Sequence, residues 1–259
     1  MPYNHRLLSI LFIYLLIILP SKAQSNLSKE PIDLTKVVIN TLDKFKLNGH
    51  YYLGEQHSGG VLLLHGCNAN QQAYQPLIAL LKKTNLHILS YDFRGYGESQ
   101  SKRFSQAQLR KSADSILAYK TAMTTLTAYW QSDALTAFEW LRKKVAKNKQ
   151  IAIVSVGCAS KYAVGIAENM HVDSLIMVTP EMDHNDNEHY KNLADKPTYF
   201  ISTIHQLASY KTAKELFEWN GSLRSKMQLF KGSYVDHNLL KKQKGLIYDM
   251  ARWLNNNLN

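Results

Sequence analysis

Three short runs in this chain carry aliphatic side chains at every position: Val61-Leu62-Leu63-Leu64, Ile151-Ala152-Ile153-Val154 and Leu175-Ile176-Met177-Val178. A strand with one wet face alternates apolar and polar residues; an unbroken aliphatic strand has to be covered on both faces. Helical spacing follows the first two runs, with Leu77, Leu80 and Leu81 on one side of 75–83 and an alanine-bearing pattern over 160–170. Strands alternating with amphipathic helices predict an α/β fold, a mainly parallel central sheet with helices on both faces. Further strands are expected at 36–40, 50–53, 87–91, 198–201 and 227–230. Helices are expected at 133–145, where Leu135, Phe138, Leu141 and Val145 share an inner face, and at 212–219 and 239–254. Residues 102–130 read as a helical insertion over the sheet edge. Such sheets bind ligands beyond the carboxyl ends of their strands, so chemistry is to be sought just after Leu64, Tyr91, Val154, Val178, Ile201 and Phe230.

The amino terminus reads differently from the rest. His5 and Arg6 precede the apolar run 7–19, and Ser21-Lys22-Ala23 places small residues where a signal peptidase needs them. The run falls short of the roughly 20 apolar residues that span a bilayer. The expectation is a signal peptide over 1–23, cleaved after Ala23, and a single mature domain over 24–259, periplasmic or extracellular, with no stable membrane anchor. At 259 residues and 45% hydrophobic content the chain can bury one substantial core. Its net charge of +11 comes largely from Arg142, Lys143, Lys144, Lys147 and Lys149, and from Lys241, Lys242 and Lys244. These lie on or beside amphipathic helices, where lysines form the solvated face, so no nucleic-acid partner is expected.

After Leu64 comes His65-Gly66-Cys67-Asn68, and after Tyr91 comes DFRGYGES, from Asp92 to Ser99. GVLLLHG followed by DFRGYGES resembles the α/β-hydrolase superfamily, closest to esterase-like and dienelactone-hydrolase-like members, over nearly the whole mature chain. The resemblance implies that Gly66 frees the amide of Cys67 to face a developing oxyanion, and that DFRGYGES is structural, with Arg94 tying loops together.

The same resemblance makes 151–170 a nucleophile elbow, where Gly-x-Ser-x-Gly normally follows the strand. With Ala163 as the alanine six residues after the nucleophile, Ser155 and Ala159 take the flanking glycine positions and Gly157 takes the serine's. Glycine has no atom with which to attack a carbonyl. Sliding the register by one makes Cys158 the nucleophile but puts Val156 where a small residue is wanted; Ser160 or Ser155 are further candidates. At the acid position stands Gln206, which lacks the charge to stabilise an imidazolium, with Glu181 or Asp183 as substitutes one strand earlier. His237, in the loop 231–237, matches the family's histidine. In 181–190, Asp183, His184, Asp186 and His189 crowd together without metal-ligand spacing. A solvated loop is expected there, with no metal and no cofactor.

The resemblance also takes one oxyanion-hole amide from Cys67 and the other from Cys158. Amides converging on one oxygen bring their α-carbons near the 4.4–6.8 Å that a disulfide spans, so the only two cysteines are expected to be neighbours, as a disulfide or a thiol pair. Removing a hydrolase nucleophile typically costs on the order of 10⁶ in turnover. The expected function is therefore an exported α/β-hydrolase-family protein, weakly or non-catalytic, with a retained pocket for a small ester-like molecule. The alternative is an active hydrolase of small esters or lactones using Cys158 and His237. If the elbow is intact, serine at 157 with aspartate at 206 is expected to restore esterase activity.

Overall fold

A computed structural model describes Met1, residues 34–193 and residues 195–258. The expected signal peptide lies outside the described residues. Eight strands form one sheet in the order β1-β2-β4-β3-β5-β6-β7-β8. They are β1 Leu34–Asn40, β2 Lys46–Tyr52, β3 Gly60–Leu64, β4 His87–Tyr91, β5 Ile151–Val156, β6 Ser174–Val178, β7 Thr198–Thr203 and β8 Lys226–Phe230. The β1–β2 and β2–β4 pairs are antiparallel. From β4 to β8 every pairing is parallel. The mainly parallel sense agrees with what the aliphatic runs and the family resemblance imply.

Alternation along the central strands sorts their side chains between two cores. Leu62, Leu64, Ile151 and Ile153 belong to one, with Ala134, Ala137, Phe138 and Leu141 of α4 (Trp130–Arg142) and Ala163 and Ile166 of α5 (Ser160–Asn169). Val61, Leu63, Ala152 and Val154 belong to the other, with Leu77 and Leu81 of α1 (Gln75–Leu81) and Leu246, Met250 and Leu254 of α9 (Lys244–Leu258). Each fully buried leucine or isoleucine contributes about 1.5–3 kcal/mol, so the central strands are held from both sides. In α9 the buried residues 246, 247, 250, 251, 254 and 258 follow the stripe of a helix facing a core on one side only.

Several expected boundaries move. Residues 102–130 divide into α2 (Gln106–Ser112) and α3 (Ile116–Thr127), each started by a serine, Ser105 and Ser115, whose hydroxyl accepts from a backbone N–H in the first turn. The helix expected over 133–145 begins at Trp130, because that indole is itself buried and donates its N–H to Arg94 O at 3.0 Å. The closing helix is interrupted at Gln243, which leaves helical backbone between α8 (Asp236–Lys242) and α9. Residues 181–190 are not a solvated loop: α6 (His184–Lys191) occupies them, capped by Asp183 and Asp186 in a reciprocal capping box. Among the described residues no helix is long and apolar enough to cross a membrane.

DFRGYGES is organised by two buried carboxylates. Asp92 accepts from the backbone N–H groups of Gln71 (2.9 Å) and Glu98 (2.8 Å), and Gly97, at φ +47°, is required because a Cβ there would collide with that carboxylate. Arg94 is buried between Asp133 of α4 (2.7 and 2.9 Å) and Asp43 of the β1–β2 turn (2.6 and 2.8 Å). The rings of Phe45 and Tyr129 lie 4.3 and 4.2 Å from the guanidinium carbon. Burial raises the pKa of Asp133, opposed by the hydrogen bond and charge of Arg94. Arg94→Ala is expected to lower stability by about 3–5 kcal/mol, because it strands a buried charge. Asp43→Ala, on the half-exposed side, is expected to cost about 1 kcal/mol or less; urea midpoints of the two variants check the contrast.

Candidate active site at the carboxyl edge of the sheet

The elbow keeps its shape. β5 ends at Val156 in extended backbone, Gly157 turns left-handed at φ +55°, and a single 3₁₀ turn, Gly157–Ala159, leads into α5. A left-handed residue between strand and helix is the strained apex that presents a nucleophile in this family. The left-handed residue at this turn is Gly157, and Cys158 follows it within the 3₁₀ turn. Ser155 and Ser160 are fully buried beneath, with their hydroxyls 3.3 Å apart and that of Ser155 also 3.3 Å from Ile176 O. Neither lines the cavity described below.

The space above Gly157 is filled. A Cβ built on it would lie 3.0 Å from Asp236 Cγ and 3.2 Å from Oδ2, with Oδ1 closer still. A serine at 157 therefore needs the Asp236 side chain to move, a requirement that the expectation for Gly157→Ser with Gln206→Asp left out. Asp236 is itself left-handed, at φ +53°, and so is Thr179 just beyond β6, at φ +44°. The two are joined twice. The Asp236 N–H donates to Thr179 Oγ1 at 2.9 Å, and the Thr179 hydroxyl donates to Asp236 Oδ1 at 3.1 Å. Burial raises the Asp236 carboxyl above its ordinary pKa, opposed by the Thr179 hydrogen bond; burial and then Asp236 raise Glu181.

His237 is buried beside the second core rather than paired with an acid. Its Nε2 accepts the Gly66 N–H at 3.3 Å, its ring meets Tyr74 edge-on at 4.8 Å, and its Nδ1 has no partner among the described residues. Because Nε2 accepts, the ring is neutral with its proton on Nδ1. Burial, aided by His65 and Lys241, lowers its pKa to about 3, too low for a base that must hold a proton near neutrality. Gln206 does not orient it: the Gln206 amide donates to Ser233 O at 3.0 Å, at the start of α7 (Leu207–Trp219). Asp183 is committed to capping α6. Glu181 donates its backbone N–H to Gly157 O at 3.1 Å, which sets it beside the apex.

Cys67 and Cys158 form a disulfide with α-carbons 5.9 Å apart, joining the loop after β3 to the elbow. Cys158 thus presents no thiol, and the alternative in which it attacks with His237 as base lacks both its thiolate and its proton acceptor. The bridge closes 91 residues of chain, worth roughly 4–5 kcal/mol in a loop-entropy account. It also holds together the two residues whose amides the resemblance assigns to the oxyanion hole. Cys67 lines a cavity of about 730 Å³ with Gly66, Tyr96, Arg110, Asp236 and His237. Cys158 lines a hollow of about 360 Å³ with Lys161 and Glu181. Among the described residues no group of three or more histidine, cysteine or acidic side chains is arranged to hold a metal ion.

Sequence reasoning missed Asp236 and Thr179. The signal available was the Asp236-His237 pair in the loop already singled out for its histidine; a left-handed backbone at 236 exchanges which neighbour meets the apex.

Comparison with known proteins agrees with this architecture. A family model described as serine aminopeptidase, S33, matches residues 55–209. Similar solved structures include an esterase from Pyrococcus furiosus, at 15% identity and a TM-score of 0.65, covering 88% of this chain and 92% of that one. A dienelactone hydrolase from Anabaena variabilis has 13% identity and a TM-score of 0.65, covering 88% and 99%. At these identities the likeness speaks for the fold alone. A thiohydrolase of Aspergillus aculeatus is 36% identical over 67 residues, 26% of this chain. The match spans about a fifth (21%) of that relative's length. Matched over more than half its length, the chain belongs to the α/β-hydrolase family described as serine aminopeptidase, S33.

Proposed function

We propose that this is an exported α/β-hydrolase-family protein that holds a small ester-like molecule in the cavity beside the elbow and forms no acyl-enzyme with it. One observation carries the proposal: the apex residue is a glycine, and the carboxylate of Asp236 stands where its side chain would be. An ester carbonyl brought to this apex meets no hydroxyl or thiol. Export is supported by the basic and apolar pattern of 1–23 and by a disulfide, a bond that persists in oxidising compartments. Small ester-like molecules are favoured by the cavity's size and by the esterase and dienelactone-hydrolase neighbours. Arg110 and Lys241 in its lining favour those that also carry a carboxylate or phosphate.

The mature chain 24–259, purified without reductant, is expected to bind a short-chain lactone saturably in calorimetry, and Ala73→Trp in the cavity lining is expected to abolish that binding. Its intact mass is expected to be unchanged after a fluorophosphonate or iodoacetamide. A stoichiometric adduct with either reagent sinks the proposal.

His237 then serves the fold rather than turnover, with a consequence for pH. Its folded pKa of about 3 lies below the ordinary value of 6.5, so the unfolded chain takes up the proton first. Its contribution to stability is complete above pH 6.5 and is lost as pH falls from there toward 3, with about 2 kcal/mol gone by pH 5. Urea midpoints at pH 7 and pH 5 are expected to differ less in His237→Gln than in the parent chain.

A further inference from the structure

We propose that Asp236 is a catalytic base: its carboxylate, delivered from the loop after β8 onto the bare apex at Gly157, activates water for slow hydrolysis of the ester or lactone held in the cavity. This rests on the ligand reading above and adds an activity to it.

Four observations converge on the carboxylate. It occupies the space a nucleophile's side chain would fill, with Cγ and Oδ2 3.0 and 3.2 Å from the position of a Cβ on residue 157. It lines the cavity of about 730 Å³, so it is open to a ligand although the residue is only 7% exposed. Its position is held by two left-handed non-glycine residues, Asp236 and Thr179, from loops after different strands and bonded to each other in both directions. Such backbone is unfavourable for residues other than glycine and persists where its surroundings impose it. The Thr179 hydroxyl holds Oδ1, whereas Oδ2 has no protein donor among the described residues. One oxygen is anchored and the other is available.

The charged and titratable groups around the carboxylate come from several elements. Tyr74 precedes α1 and Glu181 precedes α6; both respond electrostatically to Asp236. Arg110 of α2 and His237 and Lys241 of α8 share the cavity. Burial raises the carboxyl pKa, which strengthens it as a base.

The step balances with water as co-reactant. Asp236 takes a proton from water as the water oxygen bonds to the carbonyl carbon and the carbonyl π pair moves onto oxygen. Cys67 lines the same cavity, and the resemblance assigns its amide to that oxygen. Collapse re-forms the carbonyl and breaks the bond to the alcohol oxygen, which receives the proton from Asp236. An ester leaves as an acid and an alcohol, a lactone as a single hydroxy acid, and the Asp236 carboxylate is restored. Direct attack by Asp236 would instead form an anhydride by expelling an alkoxide, a poorer leaving group than the carboxylate that would return, so the water route is the productive one.

The test uses the disulfide-intact mature chain with δ-valerolactone and 4-nitrophenyl acetate, comparing the parent with Asp236→Asn and Thr179→Val. The asparagine is isosteric and tolerates left-handed backbone. Expected are hydrolysis above buffer in the parent, a loss of 100-fold or more in Asp236→Asn, and lactone binding within twofold in both. The parent rate is expected to rise through one ionisation above the ordinary aspartate value and then level off. Thr179→Val removes the hydrogen bond that holds the Asp236 pKa down and is expected to shift that midpoint to higher pH, which a merely structural Asp236 would not produce. Parent hydrolysis no faster than buffer, an unaltered rate in Asp236→Asn, or an unmoved midpoint in Thr179→Val overturns the proposal. Saturable binding without hydrolysis leaves the ligand reading standing, whereas absence of binding removes that reading itself. If Asp236→Asn does not fold, the Thr179→Val midpoint decides.

Discussion

The contact between Gly157 and the carboxylate of Asp236 constrains everything else at this edge of the sheet. Any side chain at 157 would overlap that carboxylate as it stands. The two positions define each other: a glycine is tolerated because the carboxylate fills its space, and the carboxylate fits because the apex is a glycine. Thr179 extends the dependence to β6, since its hydroxyl both accepts from and donates to Asp236. Three strand ends, those of β5, β6 and β8, are thus joined through one buried carboxyl group.

The disulfide and His237 complete the joining from the β3 side. Cys67 carries the loop after β3 to the elbow covalently, and the Gly66 N–H, one residue earlier, donates to His237. His65 adds a third tie, accepting the Phe93 N–H at 3.0 Å and so holding the same loop to DFRGYGES. Loops that carry chemistry are often among the less stable parts of a fold. Here the edge is pinned by one covalent bond and several buried hydrogen bonds, so its geometry is set before any ligand arrives. Preorganisation of that kind suits a site that binds without rearrangement, and it suits a base that must meet a water molecule in one orientation.

Much of the fold was legible because burial writes itself into composition. Unbroken aliphatic strands at 61–64, 151–154 and 175–178 can only be central, and the motifs after Leu64 and Tyr91 placed the loops. The proximity of Cys67 and Cys158 was also legible, since the resemblance assigns both residues to one oxyanion hole, whose geometry brings them together. What the sequence hid depends on backbone handedness at single positions. Nothing in Tyr234-Val235-Asp236-His237 announces that residue 236 is left-handed, so the resemblance drew attention to the imidazole when the carboxylate faces the apex. The same holds for Thr179, a β-branched residue in a conformation such residues rarely adopt. Residues 181–190 misled for another reason: a polar run without apolar periodicity reads as a loop, but the Asp183–Asp186 capping box is enough to start α6.

The exchange of hydroxyl for carboxylate changes the electrostatics of the site. A serine apex is neutral until it reacts, and the surrounding amides wait for a charge that appears only in the transition state. Here a carboxyl group is present from the start, buried, near Glu181, and faced across the cavity by Arg110 and Lys241. An anionic ligand approaching the apex head-on would meet repulsion; one that turns its anionic end toward Arg110 and Lys241 presents its neutral carbonyl to Asp236 instead. The charge pattern therefore selects an orientation as well as a ligand class. In that orientation the carbonyl lies in the cavity that Asp236 and Cys67 line together. Under the proposed reading, the carboxylate that covers Gly157 is also the group that meets water.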